Sequence, residues 1–194
     1  MLKSLVLFAL AQSLTGEGFY PIGEHHGVKV FRKDAGAGIE LGAEGDIDAP
    51  PEVVLRVLTD YASHPRWVHN LSESRVIDKQ GSSLDVYQRL DLPVLSDRDF
   101  TLHVTWGAEG DARWLRFKTA NDKGPPPAPG AVRVSLHEGS WLLEPRDGGR
   151  ATHAVYRFHL DLAGSFPSWM GKGQAGKDVP NLFDNIRDQT RYYK

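Results

Sequence analysis

The feature that most constrains the fold is a long series of short β-strand patterns between two helical patterns. The strand patterns cover residues 75–78, 84–90, 100–106, 114–119, 132–137, 140–144 and 152–162. Alternation of apolar and polar residues, as at 100–106, is typical of a strand with one face against a core. Most of the connections are short turns that favour antiparallel neighbours, so this region predicts an antiparallel sheet.

A predicted hairpin and a helix precede this series. Residues 28–32 alternate, a break of glycine and alanine follows, and residues 39–47 resume the β pattern. Pro50 and Pro51 then open a helix, because proline fits the first turn, where its missing N–H would be unpaired. This helix is predicted to end before Pro65 and to pack on the sheet. Its apolar face is formed by Val53, Val54, Val57, Leu58 and Tyr61.

The chain closes with a predicted amphipathic helix that has Pro180 in its first turn. Its apolar face is formed by Val179, Leu182, Phe183, Ile186 and Thr190. A hairpin, a helix, many antiparallel strands and a terminal helix predict an α+β fold in a single domain, residues 19–194. Wrapping such a sheet around the C-terminal helix closes the core, and we expect it to leave an internal apolar cavity.

Residues 1–18 have two interpretations. Lys3, an apolar run over residues 4–11 and an Ala-x-Ala sequence resemble a short signal peptide. The run is too short to span a bilayer, which takes about 20 residues. The alternative is a buried N-terminal helix ending near Gly16. The signal interpretation favours a periplasmic or secreted protein, and the helix interpretation favours a cytoplasmic one.

Composition narrows the chemistry. Lys and Arg total 23 against 25 for Asp and Glu, so a nucleic-acid partner held by phosphate contacts is not expected. Zero cysteines exclude thiol catalysis and disulfides, but they do not identify the compartment. The eight histidines show no metal-ligand spacing, and we predict no metal and no cofactor.

A glycine-rich stretch at residues 171–177 matches the pattern of a phosphate-binding loop. Asp178 stands where such a loop needs Ser or Thr, and its carboxylate would repel phosphates. Too few residues follow for a further βαβ unit. We therefore interpret Gly171 to Gly176 as a hinge that lets the C-terminal helix move.

The triplet Asp97-Arg98-Asp99 begins a predicted strand. Ion pairs at strand ends usually hold two elements in register, and Arg98 would then pair with Asp97, Asp99 or a carboxylate on the next strand. The alternative is that the forked guanidinium of Arg98 reaches into the cavity and holds a polar group. We expect the two aspartates to hold the strand entrance and Arg98 to be the functional candidate.

Several short motifs occur in order along the chain: residues 27–32, Ala49-Pro50, Pro65-Arg66-Trp67, residues 86–88, residues 96–100, residues 139–145 and residues 164–169. Together they resemble the START (StAR-related lipid-transfer) family of the helix-grip superfamily. The resemblance implies a helix-grip fold, in which a curved antiparallel sheet grips the C-terminal helix and a sterol or phospholipid occupies the cavity. Some family members carry an acidic–basic pair in the cavity, and only Arg98 is matched here.

The resemblance and the strand pattern together predict the ligand-binding residues: Tyr87, Arg98, Trp106, Phe117, Trp141, Tyr156, Phe158, Val179, Leu182, Phe183 and Ile186. The tyrosines are the strongest candidates, because a hydroxyl in an apolar cavity needs a partner that a ligand oxygen can supply. His103, Arg116 and His137 are expected to face outward by alternation.

Three functions remain open. The first is a non-enzymatic carrier or sensor of an apolar ligand, a monomer that contacts membranes transiently. The second is a polyketide cyclase or aromatase that uses Arg98, Tyr87 or Tyr156, since related enzymes share the fold. The third is a scaffold whose core is filled. The absence of an evident acid–base pair favours the carrier.

Overall fold

The computed structural model describes residues 14–34, 38–93, 95–161 and 175–193. Its strands are β1 (Tyr20–His25), β2 (Val28–Lys33), β3 (Ile39–Ile47), β4 (Leu71–Gln80), β5 (Ser83–Leu90), β6 (Arg98–Glu109), β7 (Ala112–Thr119), β8 (Val132–Arg133), β9 (Leu136–Arg146) and β10 (Ala151–Asp161). The helices are α1 (Pro51–Thr59) and α2 (Ala175–Gln189), and the longest 3-10 helix, Tyr61–Arg66, follows α1.

The strands form a single sheet in the order β1-β2-β3-β10-β9-β7-β6-β5-β4. These neighbours pair antiparallel, whereas the two residues of β8 pair parallel to the start of β6. The last strand, β10, lies between β3 and β9 and so joins the N-terminal hairpin to the meander. The predicted α+β fold with a long antiparallel sheet and a C-terminal helix is confirmed.

Two strand predictions differ from the structure. β1 was not predicted, because its six residues are all exposed and include Pro21 and Gly23, which disfavour a strand. The predicted division of residues 132–144 was wrong, because β8 ends at Arg133 and β9 runs continuously from Leu136 to Arg146. The glycine at 139, which weakens a strand pattern, lies within β9.

Both helices pack on one face of the sheet, called the inner face below. Val54, Val57 and Leu58 of α1 are buried there, which confirms the predicted apolar face. In α2, Val179, Phe183 and Ile186 are at most 5% exposed. Burial of these side chains against the sheet is what stabilises helices of this length in water.

α2 begins earlier than the sequence indicates. It starts at Ala175, so Pro180 lies inside the helix and not in its first turn. Without an N–H, Pro180 cannot donate the bond that a helix places between residues 180 and 176. Packing of the apolar face against the sheet offsets this local loss.

The opposite, outer face of the sheet carries a smaller apolar cluster. It consists of Leu14, Phe19, Phe31 and Val155, and Leu14 is 1% exposed. A Cβ on Gly42 would approach Leu14 Cδ2 to 2.8 Å, so the glycine allows this contact. Residues 14–19 therefore pack on the domain. Residues 1–13, and with them the signal-peptide interpretation, lie outside the described residues.

Candidate ligand-binding cavity

A cavity of about 150 Å³ lies between the inner face of the sheet and the helices. It is lined by Leu58, Tyr61, His64, Trp67, Val68, Leu71, Gln88, Leu90, Phe100, Leu102, Leu115, Phe117, His137, Trp141, Tyr156 and Leu182. Period-two alternation brings the strand residues together, because β5, β6, β7, β9 and β10 each direct every second side chain inward. The lining is largely apolar, as is typical of small-molecule sites.

The segment after α1 covers one side of the cavity. Tyr61 and His64 belong to the 3-10 helix, and Trp67 follows it. The rings of His64 and Tyr61 are 4.5 Å apart, and the Trp67 indole N–H donates to Ser63 Oγ at 3.2 Å. Asn185 of α2 donates to the Trp67 carbonyl at 2.7 Å, so α2 and this segment are tied together.

His137 lies on the inner face, which corrects the expectation that it faces outward. Its ring contacts the rings of Phe100 and Phe117 at centroid distances of 4.9 and 5.0 Å. The expectation was wrong because it placed His137 at the end of a separate strand, whereas β9 continues with the same alternation to Trp141. Burial lowers the pKa of His137 to about 4.

The imidazole of His137 has no hydrogen-bond partner among the described residues. Its Nδ1 is enclosed and unpaired. The side chain as a whole is only half-buried, because it keeps surface toward the cavity. Native proteins pair nearly all buried polar groups, so an enclosed Nδ1 without a partner is unusual.

His64 is a second cavity histidine, and it was not among the predicted ligand-binding residues. Its Nε2 donates to the Val57 carbonyl at 3.4 Å, and burial lowers its pKa to about 4. No spacing rule identifies it from sequence. It reaches the cavity because the 3-10 helix turns its ring toward the sheet.

Tyr61 and Tyr156 bring two phenol groups to the cavity. Tyr156 stacks on Trp141 with 4.2 Å between ring centroids. Burial raises the pKa of both tyrosines above the usual range, so both are neutral phenols. Neither hydroxyl hydrogen-bonds another residue in the part of the chain that the structure describes.

Tyr87 lies away from this cavity. It is buried on the outer face, and its hydroxyl donates to Asp99 Oδ2 at 3.1 Å. Burial, followed by the charge of Asp99, raises the pKa of Tyr87 to about 12. Its neighbours Val86 and Gln88 are also buried, so burial on both faces conceals the orientation of Tyr87 in the sequence.

The two aspartates of the triplet hold the entrance of β6, as expected, but they do so through other arginines. Asp97 accepts a hydrogen bond from Arg89 Nε at 2.8 Å. Asp99 accepts one from Arg133 Nε at 2.8 Å and one from the Ala128 N–H at 2.7 Å. Burial opposes ionisation of Asp99, but the bonds from Arg133 and Ala128 outweigh it and lower the pKa.

Arg98 lies on the inner face at the end of the sheet and is 3% exposed. It pairs with Leu90, a cavity residue, in the register of β5 and β6. Its guanidinium donates to the Ser96 carbonyl. Arg98 is therefore next to the cavity and outside its lining.

Of the other predicted ligand residues, Phe117, Trp141, Tyr156 and Leu182 line the cavity. Trp106, Phe158, Val179, Phe183 and Ile186 belong to the surrounding apolar core. Phe183 and Phe158 contact the aromatic group from either side, with centroids 5.3 Å from Trp141 and 5.1 Å from Tyr156 respectively. Gln88, Tyr61 and both histidines are cavity residues that the prediction lacked.

A wider groove of about 620 Å³ lies on the outer face. His103 and Arg116 line it, so these two residues face outward as alternation predicts. Lys118, Glu138 and Arg157 add further charge. Desolvating so many charged groups would oppose the binding of an apolar molecule, so the smaller inner cavity is the better candidate.

The described residues contain no group of three or more His, Asp or Glu side chains suited to a metal ion. In the glycine-rich stretch, residues 171–174 lie outside the described residues, and Gly176 belongs to the first turn of α2. The predicted hinge therefore stays a prediction. Among the described helices, none combines the length and apolarity needed to cross a membrane.

Solved structures of other proteins share this fold. A STAR-related lipid transfer protein from Xanthomonas axonopodis is 24% identical, with a TM-score of 0.80 over 90% of this chain and 99% of that one. Human StAR-related lipid transfer protein 5 is 20% identical, with a TM-score of 0.80 over 91% and 88%. A Streptomyces aromatase/cyclase is 13% identical, with a TM-score of 0.55 over 78% and 93%. These similarities show a START-like helix-grip fold.

The family follows from the sequence itself. Residues 47–187 match the family described as polyketide cyclase / dehydrase and lipid transport, and the chain belongs to this family. The resemblance drawn from the sequence motifs is thereby confirmed. No curated protein matches the sequence significantly.

Proposed function

We propose that this protein binds an apolar small molecule in the cavity between the sheet and the helices and carries or senses it. The observation that carries the proposal is unfilled space in the centre of the apolar core, next to Tyr156 and Leu182. Protein interiors are normally packed to the density of organic crystals, so such space is costly to maintain without use. The lipid-transfer proteins that share the fold support the same proposal.

The volume sets what the described conformation accommodates. A dry cavity of about this size in another protein binds benzene, so the space suits one ring or a short hydrocarbon. A whole sterol or phospholipid needs more room, because drug-sized sites measure about 300–1,000 Å³. Outward movement of α2 from the segment around Trp67 would supply it. We propose that this movement admits the ligand, with the protein monomeric and in transient contact with a membrane.

The first experiment is organic extraction of the purified protein with native mass spectrometry, followed by titration with sterol, fatty-acid and phospholipid panels. Leu115, a cavity residue that is 1% exposed, allows a matched comparison. Leu115→Phe should fill the cavity and weaken binding at least about tenfold, because the added ring carbons occupy ligand space.

Ile77→Phe is the control, since isoleucine and leucine have the same number of carbons and Ile77 is 38% exposed on β4. It should bind like the unmodified protein. No co-purifying ligand and no binding in any panel would refute the carrier proposal, as would equal binding by the Leu115→Phe variant.

A second candidate is a cyclase or aromatase activity. It is favoured by two neutral histidines and two neutral tyrosines around one apolar cavity, which are groups that can accept or donate a proton. Turnover of a polyketide substrate that disappears in a folded Tyr156→Phe variant would support it. Binding of a ligand without turnover would support only the carrier function.

A further inference from the structure

Three of the polar side chains that line the cavity have no hydrogen-bond partner in the described protein, whereas His64, Trp67 and Gln88 are paired. The hydroxyls of Tyr61 and Tyr156 and the side chain of His137 form no hydrogen bond with another described residue, and all three residues line the same space. His137 Nδ1 is enclosed by the protein, whereas the two hydroxyls are not. Buried polar groups in native proteins have partners almost without exception. The two hydroxyls and the cavity side of the His137 ring are therefore available to pair with a polar group of a ligand.

The polar lining is also uncharged. Among the described lining residues there is no Lys, Arg, Asp or Glu. Both histidines are neutral at pH 7, because burial lowers the pKa of His64 and of His137 to about 4. A carboxylate or phosphate in this space would lose its hydration without gaining an opposite charge, which is strongly unfavourable.

The hydrogen-bonding capacity of the three groups is the third observation. A neutral imidazole carries one donor and one acceptor nitrogen, and a phenol can both donate and accept. A ligand hydroxyl can also do both, so it pairs with either tautomer of His137 and with either tyrosine. A carbonyl or an ether oxygen can only accept a hydrogen bond, and a hydrocarbon can neither donate nor accept one.

We infer that the cavity selects an apolar ligand that carries an uncharged hydroxyl group, held by His137, Tyr61 and Tyr156. This inference rests on the proposed function and deepens it, because it assigns the ligand a chemical class. An alcohol or phenol fits the site, and a fatty acid or a phosphate-bearing head does not. The surrounding aromatic rings of Phe117 and Trp141 then pack on the ring or chain that bears the hydroxyl.

Three probes that fit the observed volume separate these classes. Phenol and toluene have nearly the same shape and differ in a hydroxyl against a methyl group, and benzoate adds a negative charge. Binding of each to the full chain is measured by NMR titration at pH 7. Phenol should bind at least about fivefold tighter than toluene, and benzoate at least about tenfold weaker than phenol.

Two variants test the residues. His137→Phe and Tyr156→Phe each keep an aromatic ring and remove a hydrogen-bonding group, so each should bring the phenol-to-toluene ratio toward one while toluene affinity is retained. Tyr87→Phe is the matched control, because it removes a hydroxyl from the outer face, where Tyr87 donates to Asp99. Its ratio should equal that of the unmodified protein. Circular dichroism establishes that each variant is folded.

Several results would overturn the inference. Equal binding of phenol and toluene by the unmodified protein would do so and leave the carrier function standing, as would an unchanged ratio in both folded cavity variants. Tightest binding of benzoate, lost in Arg98→Gln, would assign the polar contact to Arg98 instead. Failure of every probe, together with failure of the lipid panels, would remove the proposed function itself.

Discussion

His137 provides the sharpest test of the energetics, because its Nδ1 is enclosed without a partner in the described structure. In the folded protein its pKa is lowered to about 4 from the ordinary value of 6.5. Below pH 6.5 the unfolded chain takes up a proton at this residue that the folded protein does not. The free energy of unfolding must therefore fall as the pH falls from about 6.5 to about 4.

The magnitude follows from the two pKa values. Each pKa unit corresponds to about 1.36 kcal/mol, so this residue should contribute a loss of about 2.5 kcal/mol between about pH 7.5 and pH 4.5. The perturbation is His137→Phe, which removes the titrating group and keeps a ring against Phe100 and Phe117. Over the same pH range, the free energy of unfolding of the variant should fall by about 2.5 kcal/mol less than that of the unmodified protein.

Urea unfolding at several pH values measures this difference. Comparison of the two proteins at each pH removes the contribution of every group that they share, including His64, which is buried and neutral as well. His153 is the control position, since it lies on the outer face with its ring bonded to Asp46 at 2.7 Å. Parallel stability curves for the His137→Phe variant and the unmodified protein would refute the reasoning.

Three further perturbations test the structural contacts by urea unfolding. Asp99→Asn should cost about 3–5 kcal/mol, because Asp99 is fully buried and its loss leaves the Arg133 charge uncompensated; a cost below 1 kcal/mol would contradict this role. Asp97→Asn should cost at most about 1 kcal/mol, since Arg89 and Asp97 are partly exposed to water, and a larger loss would show that the pair is essential to the strand entrance. Leu14→Ala should cost about 2–5 kcal/mol if residues 14–19 pack on the outer face as described, and an unchanged midpoint would show that this segment is detached.

The local patterns of the sequence were sufficient to predict the architecture of the fold. Alternation in β6 and β7 and helical spacing in α1 and α2 mark which side chains must leave water, and an antiparallel sheet with helices on one face follows from them. Together with the family resemblance, the same patterns predicted Phe117, Trp141, Tyr156 and Leu182, which line the cavity. These positions could be predicted because the orientation of a side chain in a strand or helix repeats with a fixed period.

Where both faces of a strand are buried, the sequence pattern does not show which face a side chain lies on. Tyr87 is as deeply buried as an inner-face residue, but its partner is Asp99, which is itself held by Arg133 and the loop at Ala128. A strand buried on both sides has no polar face to reveal its orientation. Only the position of that loop over the outer face determines that Tyr87 is a structural residue.

The polar groups of the cavity were decided by tertiary structure alone. His137 faces inward because β9 continues without a break through Gly139, and Tyr61 and His64 reach the cavity because a 3-10 helix folds over the sheet. Local periodicity records which side chains avoid water. It does not record which elements meet across a cavity, and that meeting determines which hydrogen-bonding groups a ligand encounters.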